Sequence, residues 1–229
     1  MDALAVLFED AHCLAVAKPA GVLTQGTAGG EPSVEDAVRR HLRPAEPGSF
    51  YLGTVHRLDR PVSGVLLWAK TPRAARRLSD QFARRLVRKA YWAVVEGIPP
   101  EAEGAWDDFL GPVDPETGRV RIAPAPFRDS RPARTRFDRG EATGLPPGCA
   151  WLRLRPETGR THQLRAQASA RGLPIVGDRA YGSSRPFPAG IALHARSLVV
   201  EHPATRRPIA FRAPTPPSWG GWTLEDVEA

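Results

Sequence analysis

The sequence predicts an α+β fold, and three observations carry that prediction. Short apolar or alternating runs of strand length recur along the chain, separated by Gly, Pro, Asp and Ser. Only a few stretches place apolar residues at helical spacing. Finally, 24 Pro and 21 Gly among 229 residues demand many turns and short connections. With 41% hydrophobic residues the composition is globular, and the length suffices for a sizeable core, read here as a single domain over residues 1–229.

Residues 5–8 and 14–17 read as two short strands about a turn containing Asp10, after which Lys18-Pro19-Ala20-Gly21-Val22 breaks regular structure. Residues 26–30 form a Gly-rich loop without the Lys-Ser/Thr ending of a phosphate-cradling loop. Ser33 through Arg43 is a helix with Ser33 as N-cap and Pro44 just past its end. In His56-Arg57-Leu58-Asp59-Arg60-Pro61-Val62-Ser63-Gly64, Pro61 presets φ and Gly64 tolerates positive φ, so this is a turn. It feeds residues 65–70, a short bounded apolar run that reads as a buried strand.

Thr71-Pro72 opens a second helix, Thr as N-cap and Pro at the first helical position. Ala75, Leu78, Phe82 and Leu86 mark its core face, and Arg73, Arg76, Arg77, Arg84, Arg85 and Arg88 decorate the other sides. Residues 89–97 are a strand. Residues 101–148 are the least legible part, with short strands at 119–122 and 133–137 and a surface loop at 145–148. Residues 151–155 alternate as a strand with one wet face. Thr161 then caps a helix running to Arg171, with Gly172 and Pro174 closing it. Residues 191–195, 198–203 and 209–211 supply further strand material, and there is no internal repeat.

Lys+Arg 32 against Asp+Glu 25 gives a net charge of +7, and Lys18, Lys70 and Lys89 are the only lysines. Arginine offers a planar fork for phosphates and a face that stacks on bases, so the excess points to nucleic acid ahead of membrane. On charge alone, compositional bias toward Arg explains the excess equally well. Cys13 and Cys149 lie in no C-x-x-C pattern and read as reduced thiols of a cytoplasmic protein. No signal peptide and no run of transmembrane length is present. His162, His194 and His202 lack metal-ligand spacing, so no metal is expected.

Asp59 sits on a loop entering a core strand, with Arg57 and Arg60 beside it, which is where catalytic carboxylates are found. Taken singly, an Asp in a Pro/Gly turn is usually a turn former, and a Tyr at a strand start, such as Tyr91, is usually core or interface. The longer strings alter that weighting. His56-Arg57-Leu58-Asp59, followed by Ser63-Gly64 and Ala69-Lys70, resembles the signature of the RluA-type pseudouridine synthase family. So do residues 6–21, the Lys89-Ala90-Tyr91 entry, Thr158-Gly159-Arg160-Thr161-His162-Gln163-Leu164-Arg165, and Pro174-Ile175-Val176-Gly177-Asp178 ending in Tyr181-Gly182. Two positions depart from the family pattern: Val62 stands where Thr is usual, and Ala166-Gln167 replaces Val-His.

The resemblance implies a mixed, mostly antiparallel bent β-sheet with flanking helices and loops and a catalytic cleft in the centre. It also implies the short form without an N-terminal S4 domain. The implied activity is isomerisation of uridine to pseudouridine in ribosomal RNA or tRNA. That chemistry needs no redox change or net hydrolysis, so no cofactor is expected. The resemblance makes Asp59 the nucleophile, toward C1′ of the ribose or C6 of the base. Arg165 becomes its pairing cation, and Tyr91 the ring that stacks on the uracil and helps remove a proton. Arg57 would enter the RNA where the target leaves the stack, flanked by His56 and Arg60. Lys89, Arg160, Thr161 and His162 are the further RNA contacts expected, on a chain acting as a monomer. An RNA-binding or ribosome-assembly protein that kept this fold without the chemistry is the alternative, against which intact Asp59, Tyr91 and Arg165 argue.

Overall fold

The computed structural model describes residues 4–27, 29–42 and 50–225. The chain opens with strands β1 (Val6–Glu9) and β2 (Cys13–Lys18), antiparallel about a turn in which Asp10 Oδ1 accepts from the His12 and Cys13 amides. Helix α1 (Val34–His41) has Ser33 as N-cap, reciprocally bonded with Asp36; the predicted end at Arg43 and Pro44 lies outside the described residues. After β3 (Gly53–Thr54) comes β4 (Ser63–Ala69), buried at every residue as the apolar run predicts. Gly64 is obligatory at its head. Its φ is +121°, and a Cβ there would lie 2.3 Å from the Ala195 carbonyl oxygen.

Helix α2 (Pro72–Ala83) is capped by Thr71, whose hydroxyl accepts from the Ala74 amide. Its inward face is Ala74, Leu78 and Gln81, with Ala75 and Phe82 packed alongside. The expected face position Leu86 is corrected: the helix ends at Ala83, Arg85 turns the chain with φ +59°, and Leu86 is 56% exposed. Next come β5 (Arg88–Glu96), β6 (Glu103–Val113), β7 (Val120–Ala123), β8 (Arg131–Arg139), β9 (Ala142–Thr143) and β10 (Cys149–Pro156). Sequence reading missed β6. Its inward Trp106, Asp108 and Leu110 are separated by Asp107 and the half-buried Phe109, so the buried Asp108, the outward Phe109 and a Gly-Pro pair hide the apolar period.

Helix α3 (Gln163–Ser169) is shorter than expected, and Thr161 does not cap it. His162 occupies the N-cap in a left-handed conformation (φ +54°) without a side-chain cap bond. The chain finishes with β11 (Leu193–Glu201), β12 (Pro208–Arg212) and β13 (Thr223–Leu224). β11 is one continuous strand where two pieces were expected.

These elements form two compact units. The first comprises residues up to Lys89 together with Ala195–Thr215. Its strands run in the order β1-β2-β4-β11-β12, with β3 also on β4, over a core of Ala15, Val65, Leu67, Leu78, Leu198 and Phe211. Each of the Val, Leu and Phe side chains contributes roughly 1.5–3 kcal/mol by leaving water. The second unit comprises Ala90–His194 and residues from Pro216 on. Its strands run β5-β10-β8-β6-β7, with β9 pairing β13, and Leu110, Val120, Ala133, Ala166 and Tyr181 form a core under α3. Few helices and antiparallel pairing throughout the registered ladders make the class α+β, as the sequence predicts.

Candidate active site

In the first unit the loop from Val55 to Val62 carries Asp59, closed by a Val62 amide bond to the Asp59 carbonyl at 3.1 Å. A loop lacks a ladder to hold its backbone, so other groups must do so. Lys18 is 1% exposed, and its ammonium donates to the carbonyls of Pro19, Arg60 and Val62 at 2.9, 3.0 and 2.7 Å. Burial lowers its pKa to about 7, opposed by the Asp59 carboxylate and reinforced by Arg60. Thr24 grips the residue before the candidate nucleophile: its hydroxyl donates to the Leu58 carbonyl at 2.8 Å and accepts from the Leu58 amide at 3.2 Å. Gly21 completes the brace, donating to the Arg60 carbonyl and accepting from Arg60 Nε.

The Thr-to-Val departure at position 62 falls within this brace. Val62 is 3% exposed and holds the loop through its backbone, so no hydroxyl is needed there. Neither Lys18 nor Thr24 was singled out as a site residue from the sequence. Their roles depend on contacts more than thirty residues away along the chain.

Arg57 and Arg60 are exposed, the latter bonded to Glu31 at 3.0 Å. Arg57 borders an open groove of about 580 Å³ that Gln25, Glu35, Leu52 and His56 also line. The His56 ring stacks on Phe82 at 4.9 Å, and its Nε2 accepts from the Leu67 amide at 3.0 Å. Burial and the Lys89 charge push its pKa down to about 3, so the ring is neutral. Lys89 is itself lowered to about 8 by burial.

In the second unit Tyr91 lies on β5 opposite Leu154, half-buried. Arg165, on α3, is buried and held by Asp178: Nε donates to Oδ2 at 2.6 Å and Nη2 to Oδ1 at 2.9 Å. Its guanidinium also sits 4.8 Å from the centre of the Tyr181 ring. The Tyr181 hydroxyl accepts from the Val120 amide and lies 2.9 Å from His162 Nδ1. The turn before α3 is organised by Gln163, whose Oε1 accepts from the Thr158 hydroxyl and the Arg160 amide. Its Nε2 donates to the Arg134 carbonyl and the Thr135 hydroxyl. Arg160 Nε donates to the Pro132 carbonyl, and Thr161 is exposed.

Gln167, at the second departure from the family pattern, is fully buried. It accepts from Thr135 and donates to Asp108, the Trp106 carbonyl and the Ala133 carbonyl. Asp178 and Tyr181 are functional residues that the sequence alone does not single out; the Gly177-Asp178 pair is the one local signal for them.

Asp10, Cys13 and His202 bring three potential metal-ligand atoms within 4.8 Å. Hydrogen bonding explains the cluster better. His202 Nδ1 accepts from the Ala204 and Thr205 amides, which places the proton on Nε2, 2.9 Å from Asp10 Oδ2. Burial, with the Asp10 charge, pushes the Cys13 thiol up to about 12, so it sits beside the pair as an uncharged thiol. The trio ties the first turn to the end of β11.

A family model described as RNA pseudouridylate synthase matches residues 12–170. An uncharacterized RNA pseudouridine synthase of Zymomonas mobilis is 37% identical over 220 residues, covering 92% of this chain and 93% of its own. The dual-specificity RNA pseudouridine synthase RluA of Escherichia coli K12 is 35% identical over 213 residues, with coverage of 92% and 93%. Among solved structures, the human RNA pseudouridylate synthase domain containing 1 superposes with a TM-score of 0.78 at 28% identity, covering 97% of this chain and 89% of its own.

Proposed function

The chain belongs to the RNA pseudouridylate synthase family, and from that premise we propose which of its residues carry the isomerisation. As a member it is an RNA pseudouridine synthase: the N1–C1′ bond of uridine breaks, a C5–C1′ bond forms, and the proton leaving C5 is balanced by one gained at N1. Asp59 is the nucleophile. The observation that carries this is the brace of Lys18, Thr24 and Gly21, which fixes the backbone on both sides of Asp59. A nucleophile must be held in a near-attack geometry, and a rigid loop supplies it.

Arg165 is the counter-cation of that carboxylate during the reaction, and Tyr91 stacks on the uracil and assists proton removal. Arg57, with Arg60 beside it, enters the RNA where the target uridine is extruded. Lys89, Arg160, Thr161 and His162 are RNA contacts. His56 flanks Arg57 as a further RNA contact, its ring oriented by Phe82 and the Leu67 amide. The substrate is ribosomal RNA, tRNA or both, in line with the dual specificity named for the Escherichia coli relative. The protein acts as a cytoplasmic monomer without metal or cofactor.

The test is Asp59→Asn, nearly isosteric but a poor nucleophile. RNA incubated with wild type and variant is cyanoethylated and read by mass spectrometry. Wild type forms pseudouridine; the variant forms none, with thermal stability and RNA affinity near wild type. Turnover by the variant at a substantial fraction of the wild-type rate would remove Asp59 from this role.

A further inference from the structure

The first unit carries a second basic surface, separate from the loop that holds Asp59. A groove of about 660 Å³ runs between α2 and the end of β11, lined by Arg76, Arg77, Arg84, Arg88 and Arg206 with Asp80 and Glu201. Both carboxylates are already paired within it: Asp80 with Arg84 at 3.5 Å, and Glu201 with Arg206 at 2.6 Å. Among the described residues, no carboxylate lies within ion-pair distance of Arg76, Arg77 or Arg88. Arg77 is oriented by a bond from Nη1 to the Pro203 carbonyl. Its pKa is lowered by desolvation and then by Arg73, Arg206 and Arg76, with Glu201 opposing. The groove therefore concentrates positive charge that the protein itself does not neutralise.

Its framework is rigid. Gln81 clamps α2 to β11 through paired bonds to the Glu201 carbonyl and amide at 2.8 and 2.7 Å. Unneutralised guanidinium forks suit phosphate oxygens, which they bind bidentately. Among the described residues, Leu86 is the one large hydrophobic residue exposed in the groove, too little apolar surface for a membrane or a protein core contact. The occupant the charge favours is the polyanion this enzyme must already bind.

We propose that the groove between α2 and β11 is a second RNA-binding surface, gripping backbone phosphates of the substrate outside the segment presented to Asp59. This rests on the pseudouridine synthase reading. The groove contributes affinity and placement of a long RNA and leaves the chemical step untouched.

The experiment uses Arg76→Gln/Arg88→Gln, both residues exposed, in the full chain, with Arg119→Gln/Arg128→Gln on the second unit as a charge-matched control. Filter binding to bulk tRNA is measured across a salt series. The groove variant should bind roughly tenfold more weakly. Its slope of log K against log salt should be shallower by about 0.7–0.9 for each phosphate contact removed. On total RNA its kcat/KM should fall, while pseudouridine formation at saturating RNA keeps the wild-type rate and Tm is unchanged. The control should keep the wild-type slope.

A wild-type slope in the groove variant, or an equal loss in the control, would overturn the proposal; the first result would leave the groove to a partner other than RNA. Absence of pseudouridine with the wild-type protein is a different failure, that of the underlying reading.

Discussion

The loop of Asp59 and the helix of Arg165 are both rigid, but rigid by different means. The loop is held through its main chain. Lys18 and Gly21 engage the Arg60 carbonyl, Lys18 also takes the Val62 carbonyl, and Thr24 satisfies both backbone groups of Leu58. The helix is held through side chains: Asp178 grips the Arg165 fork, while Gln163 and Gln167 tie α3 to β8 and β6. The difference follows from secondary structure. A helix satisfies its own backbone, so only the direction of its functional side chain needs fixing. A loop leaves its carbonyls and amides unpaired, and buried donors from elsewhere must take their place.

The largest test of the contrast is Asp178→Leu. It removes the carboxylate that grips the Arg165 fork, in a pair whose side chains are 8% and 1% exposed. Breaking such a pair costs about 3–5 kcal/mol. We expect that loss in urea unfolding, together with loss of activity. Adding Arg165→Met should restore most of the stability and none of the activity. A single variant within 1 kcal/mol of wild type would show that side-chain pairing is not what fixes this helix.

Lys18→Met probes the loop. The Val62 carbonyl loses its buried donor, a cost of about 1–3 kcal/mol, and kcat should drop more than RNA affinity does. Stability should also change its pH dependence. With Lys18 lowered from 10.5 to about 7, the native state binds fewer protons than the unfolded chain between those values. Wild-type stability therefore rises with pH across that window, with Lys89, lowered to about 8, adding in the same sense. Chemical denaturation at several pH values between 6 and 10 should show this rise flattened in Lys18→Met. An unaltered slope would mean that Lys18 stays fully charged in the folded protein.

Thr24→Val should have the smallest effect, about 1–2 kcal/mol, because it frees only the Leu58 amide and carbonyl. Its signature is local: the Leu58 amide should exchange with solvent faster while amides of α3 keep their protection. Equal acceleration in α3 would indicate that the two regions do not depend on separate supports.

Much of this is legible in the sequence. Ser33 and Thr71 are the N-caps expected, because capping is local chemistry between a hydroxyl and an amide three residues on. The β4 run was recognisable as buried from its length and apolarity alone. Where local rules met a tertiary demand they failed. Thr161 has the right chemistry for a cap, yet Gln163 and Thr158 draw the turn toward β8 and leave His162 at the N-cap. Leu86 continues the apolar spacing of α2, but the chain has already turned at Arg85. β6 was invisible because Asp108, bonded to Gln167 and paired with Arg171 at 3.0 Å, sits at an inward position that alternation reserves for apolar residues.

By itself the sequence determined the α+β class, the order of its landmarks, the candidates Asp59, Tyr91 and Arg165, and the excess of arginine. Those features are carried by neighbours in the chain or by residue counts. Only the tertiary structure decided that Lys18 and Thr24 hold the Asp59 loop, that Asp178 holds Arg165, and that arginines of α2 share a groove with Arg206. Each of those contacts joins residues whose chemistry is ordinary alone. They acquire a role when folding removes them from water, because a buried donor, acceptor or charge must find its partner wherever the fold has brought one.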